Sequence, residues 1–160
     1  MILIGENIHV ISKTIQSALA NRDEEFILDL IKRQSHMDYI DLNVGPAKNN
    51  LEGILPWLCN LVESNTDLKI SFDSTNSNEI RAGLAVCKNA DKALINSTSA
   101  DEVRLEKVTD LAAEFGANII ALTMNKELGI PKTSDERLAL AFDIYEKCQE
   151  KEIGNERIFF

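Results

Sequence analysis

Little in this sequence belongs to the chemistries that are easiest to recognise. Of its 160 residues only three are cysteine and two histidine. Cys59, Cys87 and Cys148 lie far apart within helical patterns and form no CxxC or Cys/His spacing, so structural or incidental thiols are expected, and no metal of the chain's own. No G-x-G-x-x-G and no Walker pattern occurs, which removes the glycine-rich phosphate cradle of the nucleotide-binding folds. Basic residues are outnumbered, 17 Lys and Arg against 26 Asp and Glu, for a formal charge of −9. Binding by phosphate neutralisation needs a clustered excess of positive charge, so nucleic acid is not an expected partner. No apolar run approaches the ~20 residues of a membrane span, and the opening MILIGENIHV carries no basic leader. A cytoplasmic chain without membrane contact is expected. With three prolines and seven glycines there is no linker and no low-complexity tract. What remains, 44% apolar and 27% charged, is the composition of a globular domain able to bury a core.

Short β-rich runs recur: ILIG at 2–5, YIDLNV at 39–44, LKISFD at 68–73, KALINS at 92–97, NIIALTM at 118–124 and RIFF at 157–160. Between them the apolar residues return at helical spacing. Segments 23–36, 77–88 and 101–115 have acidic first turns, and the last stops at Gly116; segment 134–152 opens at Ser134 with Asp135 and Glu136, and carries Leu138, Leu140, Ala141, Ile144 and Tyr145. Pro56 interrupts the helical reading of 49–64, which is expected to be kinked or in two pieces. Strand and helix alternating without a hairpin signal predict an α/β fold with parallel strands, buried on both faces and nearly continuous in apolar residues. Because the first βα turn, GENIH, lacks a phosphate loop, a (β/α)8 TIM barrel is preferred to an open doubly wound sheet. Such a barrel usually needs ~250 residues. About five βα units and a sixth strand are present, so the expectation for residues 1–160 is the N-terminal part of a single barrel domain, or a chain completed by a second fragment.

Polar residues follow each apolar run: Glu6 and Asn7; Asp41 and Asn43; Asp73, Ser74, Thr75 and Asn76; Asn96, Ser97 and Thr98; Thr123 and Asn125. In a parallel barrel those strand ends form the mouth where the chemistry is placed. A ring of carboxylates and carboxamides, without a Ser-His-Asp set or a crowd of cations, suits a neutral heterocycle with several N–H donors and ring-nitrogen acceptors. Asp and Asn at βα junctions also cap helices. Both readings stand for Ser74, Asn76 and Ser97, while the ligand reading is preferred for Asp73 and Asn96. His36 closes a helix and reads as a cap at the negative end of its dipole. His9 follows the first strand, where it either faces the site or is an ordinary loop residue, the second being the plainer reading.

The motifs GENI at 5–8, DLNVGP at 41–46, DSTN at 73–76, INST at 95–98 and LTMNKELGIPK at 122–132, followed by Ser134, Asp135 and Arg137, resemble the methyltetrahydrofolate:corrinoid/iron–sulfur-protein methyltransferases and their relatives in O-demethylation systems. The resemblance runs over essentially the whole chain. The wider superfamily, which includes dihydropteroate synthase and the folate domain of cobalamin-dependent methionine synthase, consists of (β/α) barrels holding a pterin at the mouth. The resemblance implies that Glu6, Asp73 and Asn96 contact the pterin and that Asn43 and Asn125 are further contacts or supports. The catalytic residue is left unassigned. One departure is Asn7, where the family commonly carries Arg.

The activity so implied moves the N5-methyl group of methyltetrahydrofolate to the Co(I) corrinoid, a cobalamin-type cofactor, of a partner protein. An unprotonated amine leaves poorly, so positive charge must be raised at N5 by a proton or a strong hydrogen bond. The nucleophile belongs to the partner. A homodimer is expected at full length, and residues 1–160 alone are expected to be inactive. Two alternatives are kept: dihydropteroate synthase, whose characteristic first loop GENIHVIS does not resemble, and a non-catalytic pterin-binding subunit. Tetrahydrofolate and tetrahydromethanopterin are not distinguished.

Overall fold

The structure is a computed structural model that describes residues 1–48 and 51–160. The chain divides into two compact units, Met1–Ala93 and Leu94–Phe160. Both repeat the pattern of strand, then helix, then parallel strand.

In the first unit the order is β1 (Ile4–His9), α1 (Lys13–Ala20), α2 (Glu24–Arg33), β2 (Tyr39–Gly45), α3 (Ile54–Asn65), β3 (Lys69–Ser74) and α4 (Ser77–Val86). β2 pairs in parallel with β1 on one side and β3 on the other. The second unit holds β4 (Leu94–Ser99), α5 (Glu102–Phe115), β5 (Asn118–Leu122), α6 (Ser134–Glu150) and β6 (Ile158–Phe159), with β5 parallel to both β4 and β6.

The strands are not continuously apolar, which corrects the expectation from burial on both faces. Ile40, Leu42 and Val44 of β2 and Ile70 and Phe72 of β3 are core residues, while the alternate positions are Asp41, Asn43, Ser71 and Asp73. Strand geometry sends alternate side chains to opposite faces, so one face of this sheet is apolar and the other carries the chemistry. Burying a side chain such as Phe72 contributes roughly 2 kcal/mol. On α4, a Cβ at Gly83 would stand 2.7 Å from the Phe72 ring, so only glycine lets that helix approach the strand so closely.

Several boundaries move. The first strand covers Ile4–His9 rather than 2–5, with a register shift between Gly5 and Ile8, so Glu6 and Asn7 lie inside the strand instead of after it. α1 was not expected. It is eight residues long, capped by the Ser12 side chain, and buries Ile15, Ala18 and Leu19 at one helical face. α2 ends at Arg33 with Gln34 at its C-cap, so His36 lies beyond the helix and does not cap it.

The start of the segment at 49 and 50 is outside the described residues. From Ile54 onward it is one helix, because Pro56 falls in the first turn, where the missing N–H has no intrahelical partner to lose. Gly53 precedes it in the left-handed region at φ 68°. Gly116 ends α5 as expected, at φ 74°. α6 is capped one residue earlier than read, by Thr133 in a capping box with Glu136, and its buried stripe is Leu140, Ile144 and Cys148. Leu138 is 56% exposed and not part of that stripe. Cys59 and Cys87 do not stay apart: their sulfurs and a Glu63 carboxylate oxygen lie within 4.8 Å of one another.

Candidate functional site

In the first unit, β2 and β3 lie in a register that sets Asp41 beside Ser71 and Asn43 beside Asp73, while His9 of β1 is the neighbour of Asn43 on the other side. His9, Asp41, Asn43 and Asp73, with Glu6 and Ile11, line a cleft of about 310 Å³. Three of its six lining residues are carboxylates, and none is Lys or Arg. At the strand ends Asn43 Nδ2 donates to Asp73 Oδ2 at 2.6 Å, and Asn43 Oδ1 accepts from the Gly45 backbone N–H at 3.2 Å. Two residues earlier on the same two strands, the Ser71 hydroxyl donates to Asp41 Oδ1 at 2.6 Å. Both of those residues are buried, where an unpaired carboxylate or hydroxyl would cost several kcal/mol, of order 2–7 for the neutral group. The cleft therefore has a paired, rigid floor and a partly exposed rim made by Asn43 and Asp73.

The support behind this cleft is built from residues distant in sequence. Gln34, 1% exposed, accepts from the Asn7 backbone N–H at 3.0 Å and donates to the Leu30 carbonyl at 3.1 Å. It fills the space beside Gly5, where any Cβ would collide with its carboxamide oxygen. Gln34 thus fixes the irregular part of β1 that carries Glu6. Ser74 donates to the Gly45 carbonyl at 2.5 Å and accepts from the Asn76 N–H at 3.0 Å, tying the ends of β2 and β3 together. Asn76 caps α4 through its side chain. Glu79, buried on α4, accepts from the N–H groups of Gly53 and Leu55 at 3.0 and 2.8 Å, which satisfies the start of α3 from outside that helix.

The sequence singles out Glu6, Asn43 and Asp73, and the structure brings these three to one cleft. It also adds His9, which closes β1 and lines that cleft instead of lying in a loop. His9 Nδ1 is shielded and has no hydrogen-bond partner among the described residues. Ser71 and Gln34 were not identified from the sequence. Their signal was a polar residue on an otherwise apolar strand or helix face, which acquires meaning only once the neighbouring strand is known.

In the second unit, Asn96 is partly buried on β4, where the pairing with β5 is irregular between Asn96 and Thr98. The next carbonyl, that of Ser97, accepts twice from the Arg104 guanidinium of α5, at 3.0 and 2.7 Å. Asp101 accepts from the Ser99 hydroxyl and from the Lys126 N–H, so it anchors the loop after β5 to the end of β4. Asn125 sits in that loop, and its side-chain oxygen accepts from the Leu128 N–H at 2.8 Å while its backbone bridges to Gly129. Its carboxamide is thus committed at one end to shaping the turn.

Comparison with known proteins gives one family and several relatives. The model of the family described as pterin binding enzyme matches residues 27–160. The methylcorrinoid:tetrahydrofolate methyltransferase of Eubacterium limosum is 25% identical over 162 residues, covering 99% of this chain and 59% of that protein. Methionine synthase of Mycobacterium tuberculosis is 28% identical over 149 residues, covering 88% of this chain and 12% of its own length. Among solved structures, 7,8-dihydropteroate synthase from Vibrio fischeri superposes with a TM-score of 0.63 at 16% identity, over 98% of this chain and 59% of that one. That likeness shows the fold, α/β with parallel strands and TIM-barrel-like. The chain spans 59% of the Eubacterium limosum and Vibrio fischeri proteins and 12% of the methionine synthase.

Proposed function

The chain belongs to the pterin-binding enzyme family, and from that membership we propose that it serves methyl transfer between N5 of a tetrahydrofolate and the cobalt of a corrinoid held by a partner protein. Two things support the methyl-transfer reading over other pterin chemistry. The Eubacterium limosum relative is named for this exchange. The cleft at the strand ends of the first unit is acidic and carries the Asn43 carboxamide, with no Lys or Arg among the described residues that line it to receive the pyrophosphate that a dihydropteroate synthase must release.

The observation that carries the proposal is the bond from Asn43 to Asp73 at the rim of that cleft. A pterin presents N–H donors along one edge, and an ionised carboxylate accepts only. Asp73 accepts from that edge, and Asn43 holds the carboxylate at the required angle. Glu6 is a second acceptor at the rim. Asn96 and Asn125 are further contacts proposed on the motif resemblance. In this reading residues 1–160 are the N-terminal part of one pterin-binding barrel domain of a cytoplasmic homodimer.

The corrinoid arrives as a substrate with its protein, of the iron–sulfur kind in the family resembled. In one direction the Co(I) electron pair attacks the methyl carbon, the N5–carbon bond breaks, and its electrons stay on N5, which ends protonated while cobalt becomes methyl-Co(III). The name of the Eubacterium limosum protein describes the opposite flow, and by microscopic reversibility the same contacts serve both. The chain's part is to hold the ring and exclude rotation, so that the methyl group faces the incoming cobalt.

Calorimetric titration with methyltetrahydrofolate tests this. Asp73→Ala should weaken binding by ~2 kcal/mol, roughly thirty-fold, since it removes a charged acceptor from a partly desolvated edge. Asn96→Ala should cost a similar order. Both variants binding normally, with unchanged circular dichroism, would defeat the pterin assignment. Binding without any methyl transfer to a Co(I) corrinoid in the full-length protein would leave a non-catalytic pterin-binding subunit.

A further inference from the structure

At the opposite end of the first unit from Asp73, where β3 begins, lies a second cavity of about 470 Å³, lined in part by Glu63, Cys87, Lys69, Lys88 and Lys92. Cys59 and Glu63 are one turn apart on α3 and so share a face, and Cys87 is the C-cap of α4. Cys59 is fully buried behind the other two. Their two sulfurs and one carboxylate oxygen fall within 4.8 Å of one another.

We propose that Cys59, Glu63 and Cys87 form a binding site for a thiophilic divalent cation, ordinarily Zn²⁺, which joins the end of α3 to the end of α4. Tetrahedral zinc takes thiolates at about 2.3 Å and a carboxylate oxygen at about 2.0–2.2 Å, which places donor atoms roughly 3.5–3.8 Å from one another. The separation here is close enough that small side-chain rotations close it. Three ligands leave a fourth position. Because Cys87 and Glu63 line the cavity, that position faces water that can fill it.

The carboxylate is already oriented for the task. The Lys88 backbone N–H donates to both Glu63 oxygens, at 2.9 and 3.2 Å, the kind of outer contact that fixes a metal ligand. In the metal-free chain the Cys87 thiol donates to Glu63 Oε1 at 3.4 Å. The Cys59 thiol in turn shares a hydrogen bond with Cys87. A metal would replace that chain of thiol hydrogen bonds with direct coordination. The bridge spans two helices that pack against each other over the β2–β3 core, so a bound metal would tie α3 to α4. It lies apart from the strand ends that carry the pterin proposal and stands or falls independently of it.

The test is titration of the reduced 160-residue chain with Co²⁺ and then Zn²⁺. One equivalent of Co²⁺ should produce a thiolate-to-cobalt charge-transfer band and the visible bands of tetrahedral cobalt, and Zn²⁺ should displace them. Zn²⁺ should also raise the melting temperature. In Cys87→Ala the charge-transfer band should fall to no more than half and Zn²⁺ affinity at least a hundredfold. Glu63→Gln, which keeps the packing, should lose at least tenfold. Absence of a charge-transfer band in the wild-type chain, or affinity unchanged in both variants, overturns the site. So does conversion of the pair to a Cys59–Cys87 disulfide in air while the reduced chain ignores both metals.

Discussion

At the scale of single residues, the pair formed by Asn43 and Asp73 sets the character of the rim. A carboxamide beside a carboxylate gives one donor and one full negative charge. Two carboxylates at the same 2.6 Å would instead compete for a proton. Asn43→Asp is therefore expected to weaken methyltetrahydrofolate binding at neutral pH. Affinity should recover toward acid, where the new carboxyl group is protonated and donates to Asp73 as the amide did. A binding curve flat across pH would show that Asn43 does not orient Asp73. The identity of this pair was visible in the sequence, since polar residues closing apolar runs stand out. The floor beneath it was not: Ser71 acquires its role from Asp41, thirty positions away on another strand. Gln34 looks like an ordinary end of a helix until β1 lies against it.

At the scale of elements, α3 depends on a neighbour for its start. Its N-cap is a glycine without a side chain, and Glu79 of α4 supplies the acceptor for the first N–H groups. Glu79→Ala should destabilise the chain by about 1–3 kcal/mol, because the buried Leu55 N–H and the more accessible Gly53 N–H lose their shared partner at once. Chemical denaturation followed by circular dichroism measures this, and a loss below half a kcal/mol, about the noise of such a comparison, would mean water satisfies those groups equally well. The long amphipathic helices were legible in the sequence from periodicity and glycine stops. α1 escaped notice because eight residues hold only two turns of pattern. The first strand was misplaced because ILIG is more apolar than the ENIH that completes it, and pairing with β2, not hydropathy, decides where a strand runs.

At the scale of the whole chain, the alternation of strand and helix was readable because parallel strands require helical returns between them. The division into two units was not, since no linker composition marks residue 93. Among the described residues no helix is long and apolar enough to cross a membrane. The chain covers 59% of the Eubacterium limosum relative, and the 160 residues alone are expected not to methylate a Co(I) corrinoid acceptor. The cobalt absorption spectrum during incubation with methyltetrahydrofolate decides this, and turnover would mean that the proposed contacts suffice without the remainder of the relative's length.

The imidazole of His9 carries one more consequence. Its Nδ1 is shielded from solvent without a hydrogen-bond partner among the described residues, which costs free energy, and a ligand in the cleft whose polar group reached that nitrogen would offset the cost. The ring is thereby a built-in reporter: in isotope-enriched protein its nitrogen resonance should shift when the cleft is occupied, with neither dye nor turnover.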